Sequence, residues 1–379
     1  MQWGIYIHIP FCRQKCLYCD FASYAGREED RAAYLQALEK EMRERVPRYL
    51  AKWGAPRTIY LGGGTPTALK PGQMAGLFDV LADILHGAYP SEWTVEVNPG
   101  TVDFPYLSML REKGVNRLSL GVQSLDDGLL AAIGRIHTAA QAHEAVSMAR
   151  AAGFENVNLD LMLGLPGQSV AQWERTLEEA IALAPEHLSC YSLIVEEGTP
   201  LSAQLERGEC APLPDEDALC RMDEITAQWT AQAGFARYEV SNYAKPGREC
   251  RHNIVYWACE PYLGLGCAAH SEMDGRRFYN PSDWAGYLRM AQSGTTARDA
   301  EGESTRQERM FERMMMGLRM VRGVDCARFA RDFGVQPEEV WKEALARDVR
   351  VGVMERRGDY LRLTQRGMQV MNSVLVELL

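Results

Sequence analysis

The chain has 379 residues, 46% of them hydrophobic, which is enough for a large buried core and excludes a disordered chain. Its 41 Lys and Arg face 51 Asp and Glu, and the net charge of −10 argues against nonspecific nucleic-acid binding and a basic membrane-surface patch. No apolar run is as long as a membrane-spanning helix and the opening residues read as a strand, not a charged leader, so the ten cysteines are expected to be reduced thiols in the cytoplasm.

The first predicted strand, Trp3–Ile9, runs almost directly into Cys12-Arg-Gln-Lys-Cys16-Leu-Tyr-Cys19. Three thiolates on one short loop suit an iron–sulfur cube with one iron left open, because a fourth protein thiolate would close it. A structural zinc site favours paired Cys-x-x-Cys sets, and a dithiol redox motif needs no third cysteine. Three buried, inert thiols are the plain alternative. Leu35, Leu38, Met42 and Val46 then recur at helical spacing with charges between them, which predicts an amphipathic helix. Further strands are predicted at Thr58–Leu61, Trp93–Val97, Arg117–Gly121, Asn156–Leu161 and His187–Leu193, separated by helical stretches. Such repeats make a parallel sheet with right-handed crossovers, and this many suggest a barrel or partial barrel.

Loops that follow the strands of such a sheet gather on one face, where sites form. Cys12–Cys19, Gly62–Thr65, Glu96-Val-Asn98-Pro99, Gln123 and Asp160–Pro166 all fall there, which points to a single site. Gly62-Gly63-Gly64-Thr65-Pro66 lacks the Gly-Lys-Ser/Thr ending of a phosphate loop; its glycines allow a ligand close to the backbone or simply form a tight turn. Glu96 and Asp160 could accept hydrogen bonds from ribose hydroxyls or an ammonium group, and Arg135 could fork onto a carboxylate. The bland reading has these charges pairing with one another, and Gln123 carries the same ambiguity.

Beyond residue 200 prolines interrupt the pattern, and Arg251-His252-Asn-Ile-Val-Tyr256-Trp257 stands out. His252 could ligate a metal or haem iron, with Tyr256 and Trp257 stacked on a macrocycle and Arg248 and Arg251 meeting its carboxylates. A histidine among aromatics is also a common hydrogen-bonded core residue. From Ser304 a helical run with Met310, Met314, Leu318 and Val321 leads to a short β segment at 359–364 and an apolar helix through Leu379. Helices followed by a β pair look like a winged-helix module, read here as a packing or partner domain because no basic stripe accompanies it.

In order along the chain, Tyr6-Ile-His8-Ile-Pro-Phe-Cys12-x-x-x-Cys16-x-Tyr18-Cys19, Gly62-Gly-Gly-Thr-Pro-Thr67, Glu96-Val-Asn-Pro99, Gly121-Val-Gln-Ser124, Arg135-Ile-His137 and Asp160-Leu-Met-Leu-Gly-Leu-Pro166 resemble the radical S-adenosylmethionine (SAM) family. The likeness is greatest to oxygen-independent coproporphyrinogen III oxidase and its relatives, and it continues into the C-terminal module. It implies an α/β fold with a radical SAM partial (β/α)6 barrel over residues 1–240, a connecting segment over 241–300 and a winged-helix-like domain over 301–379. It also implies a [4Fe–4S] cluster on Cys12, Cys16 and Cys19 whose free iron chelates SAM. Tyr6, Gly63, Gly64, Thr65, Glu96, Gln123, Arg135 and Asp160 match SAM-binding positions, and Tyr18 matches an aromatic that lies against a ligand. Reductive cleavage of the sulfonium would give methionine and a 5′-deoxyadenosyl radical.

The oxidase continues past its third cluster cysteine with a glycine and a further cysteine, and it carries a longer N-terminal extension; here Asp20-Phe21 follows Cys19 and the strand starts at Trp3. Cys19-Asp-Phe21 together with His252-Asn-x-x-Tyr-Trp257 is instead similar to the haem-chaperone branch of that family. The branch implies haem as ligand, with His252 as its candidate contact here. The partners it implies are apo-haemoproteins, an electron donor such as flavodoxin or a reductase, and a homodimer mate. Oxidative decarboxylation of coproporphyrinogen is the enzymatic alternative, and a radical enzyme acting on an unrelated substrate is the third.

Overall fold

The computed structural model describes residues 2–294, 298–299 and 304–379. Strand β1 (Gly4–Ile9) buries Ile5, Ile7 and Ile9 on one face, and by the two-residue period of a strand Tyr6 and His8 take the other. Two short strands, β2 (Phe11–Cys12) and β3 (Tyr24–Ala25), pair across the cysteine loop. Helix α1 (Arg31–Trp53) returns the chain, and its Leu38, Met42 and Val46 enter the main core. The step then repeats through β4 (Thr58–Gly63), α2 (Pro71–Ile84), β5 (Glu92–Val97), α3 (Phe104–Glu112), β6 (Arg117–Gln123), α4 (Asp127–Ala132), α5 (Ala139–Ala151), β7 (Val157–Leu163), α6 (Val170–Ala182) and β8 (His187–Ser192). Strands β1, β4, β5, β6, β7 and β8 pair in that order and are all parallel, the arrangement of the expected partial barrel.

The sheet stays open and gains strands at both edges. After α7 (Pro200–Glu206) and α8 (Glu216–Gln232) come β9 (Ala236–Arg237) and β10 (Asn242–Ala244), with β10 antiparallel to β8. Helix α9 (Arg251–Trp257) leads into β11 (Tyr262–Leu265), which lies parallel to β1 on its other side. Strands β12 (His270–Met273), β13 (Arg276–Tyr279) and β14 (Arg298–Asp299) extend that edge antiparallel, with α10 (Trp284–Ser293) between β13 and β14 in sequence. The stretch read from sequence as a connection therefore supplies strands to the main sheet, and its expected end at 300/301 lies outside the described residues.

The C-terminal module has its own core around Met314, Leu318, Phe329, Leu345 and Leu361. Helix α11 (Arg306–Gly317) precedes β15 (Val324–Asp325), α12 (Cys326–Phe333), α13 (Pro337–Val340), α14 (Lys342–Arg350), β16 (Met354–Arg357) and β17 (Tyr360–Leu363), and the strands pair as β15-β17-β16. The predicted final helix is two short ones, α15 (Gln365–Gln369) and α16 (Met371–Val376), broken at Val370 where φ is −113° and ψ is 23°. Val321 N–H donates to Tyr238 O at 3.0 Å and Arg328 pairs with Glu260 at 2.5 Å, so the module is tied to the open edge and to the end of α9. Among the described residues no helix is long and apolar enough to cross a membrane.

One buried ion pair fixes the added strands to the barrel. Glu41 of α1 pairs with Arg45 one turn on and also accepts from Gly266 N at 2.9 Å, Asn280 Nδ2 at 2.7 Å and Tyr287 Oη at 2.9 Å. Removing one partner of such a pair leaves the other charge buried and uncompensated. Glu41→Ala should therefore cost about 3–5 kcal/mol in urea unfolding, whereas Glu39→Ala, which breaks an exposed pair with Arg43, should cost less than about 1 kcal/mol.

Candidate functional site

The C-terminal ends of the parallel strands open onto a cavity of about 420 Å³. Cys12, Cys16 and Cys19 line it together with Tyr18, Gly63, Gly64, Thr65, Glu96, Gln123, Arg135 and Asp160, so the residues singled out on the cysteine loop and at the strand ends meet there. The cysteine loop is seated by bonds to the backbone carbonyls of its neighbours. Leu17 N–H donates to Ile133 O at 3.1 Å and Arg13 reaches Gly100 O at 2.9 Å. Thr65 Oγ1 lies 3.6 Å from Cys12 Sγ, Arg135 Nη1 3.6 Å from Cys16 Sγ and Ser23 Oγ 3.9 Å from Cys19 Sγ. Burial pushes the Cys12 and Cys19 thiols above their ordinary value, and hydrogen bonds from Thr65 and Ser23 partly oppose it.

Two carboxylates form the cavity wall. Tyr60 Oη donates to Glu96 Oε1 at 2.8 Å and Gly63 N–H to Oε2 at 3.1 Å. Loss of solvation pushes the Glu96 carboxyl up to about 7, with the nearby charge of Asp160 adding to it and the Tyr60 hydrogen bond opposing it. Asp160 is likewise raised by burial and accepts from Asn158 Nδ2 at 2.7 Å and Ser119 Oγ at 3.1 Å. Gln123 has φ of 66° at a register shift in β6, a local distortion of the kind that re-aims a side chain. Its Oε1 accepts from Tyr191 Oη at 2.9 Å.

The glycines owe their places to packing as much as to any ligand. A Cβ on Gly63, whose φ is 104°, would fall 2.2 Å from the His8 ring, and one on Gly64 would fall 2.8 Å from Ile9 O. Sequence reasoning missed Asn98 as a connector: it donates to Thr65 Oγ1 at 2.7 Å and accepts from Arg135 Nη2 at 2.8 Å. Tyr60, Ser119, Asn158 and Tyr191 were also missed. Their inward-facing alternation on strands was the available signal.

Tyr6 and the haem candidates Arg248, Arg251, His252, Tyr256 and Trp257 sit elsewhere. Tyr6 is one layer below the cavity, with its hydroxyl 3.0 Å from His8 Nδ1. His252 lies at the opposite end of the barrel, beside the starts of β1 and β4. It is 1% exposed, stacks on Tyr60 and uses both ring nitrogens, Nδ1 with Thr58 Oγ1 at 2.8 Å and Nε2 with Tyr256 Oη at 2.9 Å. Burial and the charge of Arg117 hold it neutral, with its pKa lowered to about 3. In this arrangement it has no free nitrogen for haem iron.

Among the described residues no three Cys, His, Asp or Glu side chains converge on a single metal position. Three thiols lining one cavity are a donor set that would hold an iron–sulfur cube with one iron left open to a ligand. The radical SAM superfamily profile matches residues 6–180, and the HemN C-terminal domain profile matches residues 304–370. The chain is 39% identical to the Bacillus subtilis heme chaperone HemW over 97% of each chain. The chain belongs to the HemW family.

The Escherichia coli heme chaperone HemW is 36% identical over 98% of this chain and 97% of its own length. A mouse relative described as radical S-adenosyl methionine domain-containing protein 1, mitochondrial, is 34% identical over 99% of this chain and 87% of its own. The E. coli coproporphyrinogen III oxidase HemN shares the fold, with a TM-score of 0.85 over all of this chain and 90% of its own, at 22% identity. HemW-family membership, through its radical SAM superfamily, implies a [4Fe–4S] cluster and SAM.

The wall carboxylate sets a pH dependence. Glu96 titrates at about 7 in the folded chain against an ordinary 4.5, so its contribution to stability is greatest below the lower value and declines as pH rises to the upper one. Glu96→Gln should flatten that decline and be relatively more stable than wild type above about pH 7, read by urea titrations on both sides of the interval.

Proposed function

We propose that this protein is a haem chaperone that binds haem and hands it to apo-haemoproteins, and that it carries a [4Fe–4S] cluster and SAM. The observation that carries the reading is the likeness at 39% identity, over 97% of both chains, to a protein described as a heme chaperone. The oxidase, at 22% identity, supports the fold alone.

On this reading Cys12, Cys16 and Cys19 hold the cluster, and Gly63, Gly64, Thr65, Glu96, Gln123, Arg135 and Asp160 surround SAM, with Tyr18 against its flat face and Tyr6 supporting from below. When bound and reduced, the cluster supplies one electron to the sulfonium of SAM. The chain's own part is to orient the ligand. Glu96 and Asp160 accept hydrogen bonds from its ammonium or hydroxyl groups, and the barrel walls exclude water from the open iron. His252 enters as a haem ligand on one condition: α9 must lift from the barrel floor, breaking the bonds to Thr58 and Tyr256. The reading takes 1–240 as the catalytic-type barrel, 241–300 as connection and edge strands, and 301–379 as a winged-helix-like partner module. It includes a cytoplasmic location, an electron donor such as flavodoxin, and a homodimer.

Anaerobic reconstitution followed by haem titration and a coproporphyrinogen assay on one sample tests the reading. We expect ~four irons and ~four sulfides per chain, lost in Cys12→Ala, Cys16→Ala and Cys19→Ala but kept in Cys326→Ala. Stoichiometric haem binding without porphyrinogen turnover is the expected outcome. A chain that takes no haem and decarboxylates coproporphyrinogen III would be an oxidase. A Soret band unchanged in His252→Ala would leave that ring its packing role.

A further inference from the structure

Below the cavity, inward side chains of β6, β7 and β8 form one chain of hydrogen bonds that ends on Asp160. Asn158 Nδ2 lies 2.7 Å from Asp160 Oδ1 and 2.7 Å from Ser119 Oγ, and Ser119 Oγ donates to Asp160 Oδ2 at 3.1 Å. His187 Nδ1 lies 2.6 Å from Asn158 Oδ1, and His187 Nε2 lies 2.8 Å from Tyr238 Oη. Cys250 N–H donates to that same hydroxyl oxygen at 3.2 Å.

The proton positions follow from donor logic. A carboxylate only accepts, so the Asn158 amide must turn its nitrogen to Asp160 and its oxygen to His187. That oxygen also only accepts, so His187 carries its hydrogen on Nδ1. The ring is fully buried, and burial with the charge of Arg117 holds it neutral. Nε2 is then bare and accepts from Tyr238. Every donor from Tyr238 through His187 and Asn158 thus points toward Asp160, a direction in which successive hydrogen bonds polarise and strengthen one another.

We propose that His187 is a positioning residue for Asp160, acting through Asn158, whose amide oxygen fixes the ring's tautomer, with Tyr238 donating to the ring from behind. The inference rests on the reading of the cavity as a SAM site. Asp160 lines the cavity while its two oxygens are held by Asn158 and Ser119, with Ser189 also bonding the carboxylate. Loss of the His187 donor leaves Asn158 Oδ1 with only the longer 3.2 Å bond from Ser189 Oγ, which weakens the hold on the amide that donates to Asp160.

The test uses full-length protein with its cluster reconstituted, SAM affinity by equilibrium dialysis, and ¹⁵N NMR of the histidine ring. His187→Leu should weaken SAM binding by roughly tenfold or more, the scale of one lost hydrogen bond to a charged group. His187→Asn should restore most of it, because an amide nitrogen can donate from the place of Nδ1. Wild-type His187 should show its proton on Nδ1, and Tyr238→Phe should keep that tautomer while weakening SAM binding less than His187→Leu does. Equal affinities of the Leu variant and the wild type, an Asn variant no better than Leu, or a wild-type proton on Nε2 would each overturn the relay. Wild-type protein that holds a cluster but takes no SAM would overturn the cavity reading itself, and the ring spectrum would still decide the tautomer.

Discussion

A polar interior is the constraint on which the rest of this barrel depends. Barrels of parallel strands usually fill their centre with Val, Ile and Leu. Here the inward positions carry Tyr60, Glu92, Glu96, Arg117, Ser119, Asn158, Asp160 and His187, while the outward Ile and Leu residues form the core under the helices. Buried polar groups without partners cost several kcal/mol each in an apolar setting, so such an interior is stable only as a connected network. The strands accordingly supply donors and acceptors in layers, and the uppermost layer is the one left open for ligand.

The same constraint explains the floor. An open lower end would let water into the network, and α9 closes it. Glu92 accepts from the N–H groups of Arg251 at 2.8 Å and His252 at 2.9 Å, which satisfies the first turn of the helix and the carboxylate together. His252 then fills the space over Gly4, where a Cβ would come 3.1 Å from its Nδ1. The buried guanidinium of Arg117 acts on Glu96, Asp160, His187 and His252 alike, so floor and cavity share one electrostatic centre.

The six parallel strands were readable because β-branched and aromatic runs alternated with amphipathic helices, and each observed end lies within two residues of its expected place. The cavity was readable because its residues follow strands whose ends must gather. The floor was not readable. Arg251–Trp257 has the composition of a ligand-binding segment, and only the approach of Thr58, Tyr60 and Glu92 from distant strands turns it into a plug. Strands β11 to β13 escaped for a related reason: they are four residues each, and their pairing partners lie far away in sequence or only across tight turns. The break at Val370 had no Gly or Pro to announce it.

Arg135 joins the cysteine loop to the barrel, and its environment shows why the two form one site. The guanidinium reaches Cys16 Sγ, Asn98 Oδ1 and the carbonyl of Gly121, and thereby ties the loop after β1 to the ends of β5 and β6. This geometry needs Gly121 to lack a side chain, since a Cβ there would lie 2.7 Å from Asn98 Oδ1 and 3.2 Å from Arg135 Nη2. Asn98 in turn donates to Thr65, whose hydroxyl meets Cys12. Two of the three thiols are thus positioned through one arginine, one asparagine and one threonine that also line the ligand cavity. A shift of the cysteine loop therefore moves ligand-facing groups with it, which couples cluster position to ligand position without any separate element to transmit the change.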